Sequence, residues 1–224
     1  MRALFKLLVM IVLIIGSVPV TGHAQNPFFP SKEGVKLLYA YYDKKGNTND
    51  YVRYTITAVK GGDNQNFEVT YFMEALDKKM KVLYKNTVNI QVKDGAVHLD
   101  PSVGIGKLTE DMTITGKGMT IPCNLKGGET LEGSDFTVKI GTLTIMSAAV
   151  SESKVSVMEE MTTPAGTFEC YKVENKVKGK AMGIKTESKE LYWYARDIGT
   201  IRFESYDKKG KLTRSGELIS MEGL

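Results

Sequence analysis

The chain has 224 residues, which suits one domain or at most two and leaves ample length for a core. Its 30 basic and 26 acidic residues give a formal net charge of +4, with no long block of like charge. That balance does not imply nucleic-acid binding.

The N-terminus carries an export signal. Met1 to Lys6 holds Arg2 and Lys6 and no acid, and Leu7 to Ile15 is an unbroken apolar run. Gly16, Ser17 and Pro19 break the run, and Gly22-His23-Ala24 supplies small residues where a signal peptidase reads. This is the order of a cleavable secretory signal. The run is shorter than the roughly 20 apolar residues of a spanning helix, so an uncleaved anchor is the lesser alternative. Residues 1–24 are therefore expected to be removed, leaving 25–224 as a single β-rich domain. No Cys stands at the cleavage site to take a lipid. Loss of Arg2 and Lys6 leaves 28 basic residues against 26 acidic ones. No transmembrane helix is expected in the mature chain.

The mature chain reads as strands separated by turns. Val52, Tyr54, Ile56 and Ala58 alternate with polar residues, as do Phe67, Val69, Tyr71, Met73 and Ala75, and then Val82 to Val92. A period of two places one apolar row toward a core. Gly61-Gly62-Asp63-Asn64, Asp77-Lys78-Lys79 and Lys93-Asp94-Gly95 separate these runs. Such short connections imply antiparallel neighbours. Tyr42-Asp43-Lys44-Lys45-Gly46 returns as Tyr206-Asp207-Lys208-Lys209-Gly210, which reads as reused turn chemistry and not as a repeat.

Asp100 to Ser134 is rich in Gly, Thr and Lys and reads as strands with long loops; a two-lobed chain divided near there is the lesser reading. In Val138 to Ile145 the apolar phase changes at Gly141, which predicts a β-bulge or bend. Ser147 to Ser153 is where a short helical turn fits. Later strands are marked by Val155 with Val157, Leu191 with Trp193, and Ile201 with Phe203.

Chemistry-bearing patterns are few. His98 is the one histidine of the mature chain, and it shares a strand face with Asp100. Two ligands make a weak metal site, and no metal-binding spacing appears. Gly106-Lys107 resembles the end of a phosphate loop, but Pro101 and Leu108 break that motif. Glu110-Asp111 and Glu159-Glu160 are adjacent, so on a strand their side chains face opposite ways. Lys176, Lys178, Lys180, Lys185 and Lys189 read as a solvated hairpin, the sharper alternative being contact with an anionic lipid or glycan surface. Cys123 and Cys170 form a disulfide if the fold brings them together, and otherwise serve as small buried hydrophobes. Tyrosines cluster between Tyr39 and Tyr54, and nine methionines lie beyond the signal. They serve as core filler or as the lining of an apolar cavity.

Thr163-Pro164-Ala165-Gly166-Thr167-Phe168-Glu169-Cys170-Tyr171-Lys172-Val173 resembles a segment of the TapB-like family of exported bacterial proteins, related to a domain-of-unknown-function family. Leu191 to Arg202 is similar to the same family's aromatic strand, turn and following strand. Asn26 to Pro30 and Gly34 to Tyr42 also fit it. The resemblance implies a β-rich exported protein of a Gram-negative envelope with no assigned reaction, and no catalytic residues carry over. Pro164 and Gly166 then set a tight turn, and Trp193 is a buried anchor.

The expectation is an all-β domain of about ten strands, a strongly curved antiparallel sheet forming an open or flattened barrel. It is expected to be a periplasmic or cell-surface binding protein for an apolar or amphipathic ligand, such as a lipid or glycolipid. No catalytic, metal or cofactor site is expected. An envelope interaction protein without a small ligand is the second reading, with an envelope protein as partner, and a hydrolase is the third.

Overall fold

In the computed structural model, the described residues are 27–63, 65–101 and 110–224. The expected signal over 1–24, Gln25, Asn26 and the Gly106-Lys107 pair lie outside them. Fourteen strands follow in chain order: β1 Lys36–Asp43, β2 Thr48–Asp63, β3 Asn66–Asp77, β4 Val82–Lys93, β5 Ala96–Leu99, β6 Met112–Thr115 and β7 Met119–Pro122. The rest are β8 Thr130–Leu131, β9 Ser134–Ile140, β10 Leu143–Thr163, β11 Gly166–Ala181, β12 Ile184–Ala195, β13 Gly199–Asp207 and β14 Leu212–Glu222.

All join one antiparallel sheet in the order β6-β9-β10-β11-β12-β13-β14-β1-β2-β3-β4-β5-β7, with β8 paired to β10. Strands β6 and β7 end the path and no ladder joins them among the described residues, so the sheet is flattened and not closed. Two features raise the count above the expected ten. The Gly- and Thr-rich stretch contributes β6, β7 and β8, of four, four and two residues, too short to show a periodicity. The Val138 to Ile145 run is two strands. Gly141 sits at φ 56° in the turn between them, with Ile140 paired to Leu143. The phase change thus comes from a chain reversal, not from a bulge at Gly141. Ser147 to Ser153 is extended, inside the 21-residue strand β10, with no helical turn.

Alternation fixes the buried face. Val52, Ile56 and Val69 in one half share a single core with Val173, Tyr192, Ile201 and Phe203 in the other. Burial of each large side chain contributes roughly 1.5–3 kcal/mol. The segment before β1 ties the halves together. Phe29 stacks on Phe67 of β3 with centroids 5.9 Å apart, while Phe28 meets Tyr171 of β11 edge-on at 5.7 Å. Met112, Phe136, Val138 and Met146 form a smaller second cluster near β6.

Three hairpins close with one turn design. The Asp43 carboxylate accepts from the amides of Lys45 (2.7 Å) and Asn47 (3.0 Å). Asp77 accepts from Lys79 (2.8 Å) and Lys81 (2.9 Å), and Asp207 from Lys209 (2.8 Å) and Lys211 (3.0 Å). The fourth position takes a left-handed backbone, filled by Gly46, Met80 and Gly210 at φ 80°, 63° and 75°. Methionine at that position is what hid the third copy in the sequence. Thr163 pairs with Gly166 around Pro164-Ala165, so the expected tight turn does launch β11.

Candidate functional site

The buried face leaves a cavity of about 140 Å³. Strand β1 contributes Leu37, Tyr39 and Tyr41 from alternate positions, and β2 and β3 add Tyr54 and Tyr71. Valines and isoleucines of β4, β5 and β7 form an aliphatic side, and Phe28, Phe29 and Pro30 add to the lining. The remaining wall comes from Tyr194 and from the turn and strand start at Ile198 to Thr200.

No lining residue carries a charge. The tyrosine rings contact one another edge-on: Tyr39 with Tyr54 at 5.8 Å, and Tyr54 with Tyr71 at 6.4 Å. Burial pushes these phenols up, Tyr54 to about 12 and Tyr39, Tyr41 and Tyr71 further, so all stay protonated. Each can therefore donate. The Tyr71 hydroxyl donates to the Pro30 carbonyl at 2.8 Å. The Tyr194 hydroxyl is buried and has no hydrogen-bond partner. The Thr200 side chain is close enough to act on its ionisation, yet makes no hydrogen bond of acceptable geometry. A buried donor without an acceptor costs about 1–3 kcal/mol, so an uncompensated one asks for an explanation.

Behind Tyr194 lies a polar row that the sequence reading missed. Tyr194 stacks on Tyr192 with centroids 6.0 Å apart, and the Tyr192 hydroxyl donates to Glu190 at 2.8 Å. Glu190 stands opposite Asn175 on β11 and Ser205 on β13, and Asn175 stands opposite Ser153 on β10. Ser153, Asn175 and Glu190 are all buried. Desolvation raises the Glu190 carboxyl to about 7, against smaller lowering by the Tyr192 hydrogen bond and the Arg214 charge. The signal was present: Asn175 interrupts Val173 and Val177, and Glu190 precedes Tyr192 and Tyr194, each a polar residue in the apolar phase of its strand.

The other candidates lie apart from the cavity. His98 is exposed, with Nδ1 3.1 Å from the Thr120 hydroxyl on β7. Among the described residues no group of three or more metal-ligating side chains forms. Glu159 accepts from Trp193 Nε1 and from Lys172, whose ammonium also lies 5.9 Å from the Trp193 ring centre. Trp193 is buried on the face opposite Tyr192, an anchor as expected. Glu160 faces away, opposite Glu169.

Cys123 and Cys170 are free buried thiols, and no bridge joins them. Cys123 follows β7, where its carbonyl accepts from Arg196, while the Cys170 thiol donates to the Phe168 carbonyl within β11. Each is held by its own neighbours. Burial raises Cys123 to about 11 and Cys170 to about 12, which suppresses the reactive thiolates. In the lysine hairpin, Lys176 pairs with Glu152 at 2.6 Å and Lys189 with Glu174 at 3.5 Å, whereas Lys178, Lys180 and Lys185 make no ion pair. No helix among the described residues is long and apolar enough to cross a membrane.

Two solved structures share this architecture. One is a protein of Bacteroides fragilis described as exported and of YmcC-like fold; it is 20% identical with a TM-score of 0.74, over 89% of this chain and 100% of its own. The other is described as a lipoprotein of Parabacteroides distasonis; it is 20% identical with a TM-score of 0.72, over 88% of this chain and 99% of its own. At that identity the likeness speaks for the fold alone. No curated protein matches the chain. The DUF3108-like family matches residues 32–218, and the chain belongs to that family.

Proposed function

We propose that this protein is a non-catalytic binding protein of the bacterial envelope that holds the apolar part of an amphipathic ligand in the cavity behind Phe28 and Phe29. The observation that carries the reading is the pairing of an uncharged aromatic cavity with the partnerless Tyr194 hydroxyl in its wall. An apolar wall favours rings and acyl chains, and a buried donor favours a carbonyl, ester or hydroxyl oxygen beside them. Size sets a limit. An engineered cavity of about 150 Å³ holds one benzene, so about 140 Å³ takes a ring or a short stretch of chain. The rest of a lipid or glycolipid lies outside.

The export signal and the fold shared with proteins described as exported or as lipoproteins support an envelope location. Assignment to the TapB-like branch of exported proteins belongs to the same reading and rests on the Thr163 to Arg202 motifs.

The test is calorimetry of the exported protein with phenol and with benzene. Both should bind, phenol more tightly, and Tyr194→Phe should erase the difference while benzene binding persists. Equal binding of the two probes, or binding of neither, would sink this reading.

A further inference from the structure

Five of the hairpin connections lie along one rim of the sheet. In the order β9-β10-β11-β12-β13-β14-β1-β2-β3-β4 every pair is antiparallel. The β9–β10, β11–β12, β13–β14, β1–β2 and β3–β4 turns therefore all face the same end, about 10 Å apart, two inter-strand spacings. The N-terminal segment and the β12–β13 turn, which line the cavity, lie at the opposite end.

This rim is basic. The three aspartate turns at Asp43–Asn47, Asp77–Lys81 and Asp207–Lys211 carry two, three and three lysines, all exposed. Each aspartate is turned back onto its own backbone amides, and none of these eight lysines makes an ion pair. In the β11–β12 hairpin Lys180 stands directly opposite Lys185, a like-charge pairing that a sheet ordinarily avoids. Asp50, Glu110, Asp111 and Glu187 are further acids at this end; Asp50 stands opposite Asp77, and the Asp111 carbonyl accepts from Gly141.

The same rim shows bare apolar side chains. Leu143, Met182 and Ile184 are 68%, 72% and 70% exposed, and Leu83 is 62% exposed. Met182 makes a sharp comparison within the molecule. The β4–β5 connection is a two-residue turn with Asp94 and Gly95 at φ 52° and 71°, and the β11–β12 connection has Met182 and Gly183 at φ 50° and 87°. Such turns favour Asn-Gly or Asp-Gly. Methionine is a poor choice for the local backbone and leaves its side chain in water. That hairpin also projects: Ser188 is the last β12 residue paired to β13, opposite Asp207. The four residues beyond it reach about 13 Å past the β13–β14 turn, while on the other side β10 runs alongside the tip and its Ile145 carbonyl accepts from the Met182 amide.

We infer that this rim docks on the surface of an anionic phospholipid bilayer, with the lysines against the headgroups and the Met182–Ile184 tip in the interface. A soluble polyanion would engage the lysines and leave the apolar tip in water. Positive charge joined to a short apolar insertion is the two-signal combination that holds a protein on a membrane surface.

The test is flotation of the exported, processed protein with vesicles of phosphatidylcholine containing a quarter phosphatidylglycerol, and with phosphatidylcholine alone. Binding should require the anionic lipid and fall as salt rises. Lys208→Glu with Lys209→Glu should lower partitioning at least about 25-fold, since each surface lysine is worth about fivefold. Met182→Asn installs the preferred turn residue, so it should reduce binding without lowering Tm. Failure to float, equal flotation with both vesicle types, or unchanged flotation of both variants would overturn the inference.

Discussion

The Tyr71 hydroxyl donates a 2.8 Å hydrogen bond to the carbonyl of Pro30, fastening the segment before β1 across the cavity. A second tie, from the Asp197 amide to the Pro27 carbonyl at 2.9 Å, holds the other end of that segment. Tyr71→Phe removes the first tie and leaves a buried carbonyl unpaired. The expected cost is about 1–2 kcal/mol, or a fall of roughly 2–8 °C in Tm for a protein of this size. Limited proteolysis should then cut between Pro27 and Pro30 faster than in the parent.

Two glycines with similar backbones should respond differently to alanine. Gly199 has φ 91°, and an added Cβ would lie 3.2 Å from the Phe28 carbonyl oxygen and 3.3 Å from Phe29 Cα. Gly210 has φ 75° with open space around it. Both substitutions carry the left-handed penalty of about 1–2 kcal/mol. Gly199→Ala must in addition displace the N-terminal segment, so its loss in chemical denaturation should be the larger. Equal losses would show that Phe28 and Phe29 yield freely.

Glu190 should make stability fall as pH rises through the mildly acidic range. Its folded carboxyl titrates near 7, above the value of about 4.5 in an unfolded chain. Between those values the folded state binds more protons than the unfolded one, so the slope of stability with pH is negative. The contribution is complete below about pH 4.5 and gone above about pH 7, and spans roughly 3 kcal/mol. Tyr192, Asn175, Ser205 and Arg214 are the groups around it. Glu190→Gln should flatten the profile between pH 5 and 8 and raise Tm at pH 8. Titration of Tm for both proteins decides it.

Cys123 and Cys170 should behave as two independent buried thiols. A thiol reagent at pH 8 should label neither in the folded protein and both after denaturation. Tm should be the same with and without reductant. A drop on reduction would show that the two do pair in solution.

Much of the fold was legible because a sheet with one buried face writes a period of two into its strands. Val52 to Ile56, Phe67 to Ala75 and Ile201 to Phe203 sit where alternation put them, whereas a register shift between Ile56 and Ala58 turns Val59 instead of Ala58 to the core. The strands around Met112, Met119 and Thr130 were not legible, since they are no longer than four residues and their pairing partners supply the order. Gly141 was misread for a related reason. One glycine suits either a bulge or a turn, and only the Ile140–Leu143 pairing distinguishes them.

The sequence by itself determined the antiparallel strand pattern and the chemistry of the aspartate turns. These depend on residues close together in the chain, whose apolar runs, alternation and side-chain-to-backbone bonds form locally. Only the tertiary structure decided that β14 pairs with β1, which places tyrosines from β1 to β3 and β12 around one cavity and three lysine turns on one rim. Such arrangements depend on contacts between residues more than a hundred positions apart, and local periodicity carries no record of which strand will lie beside which.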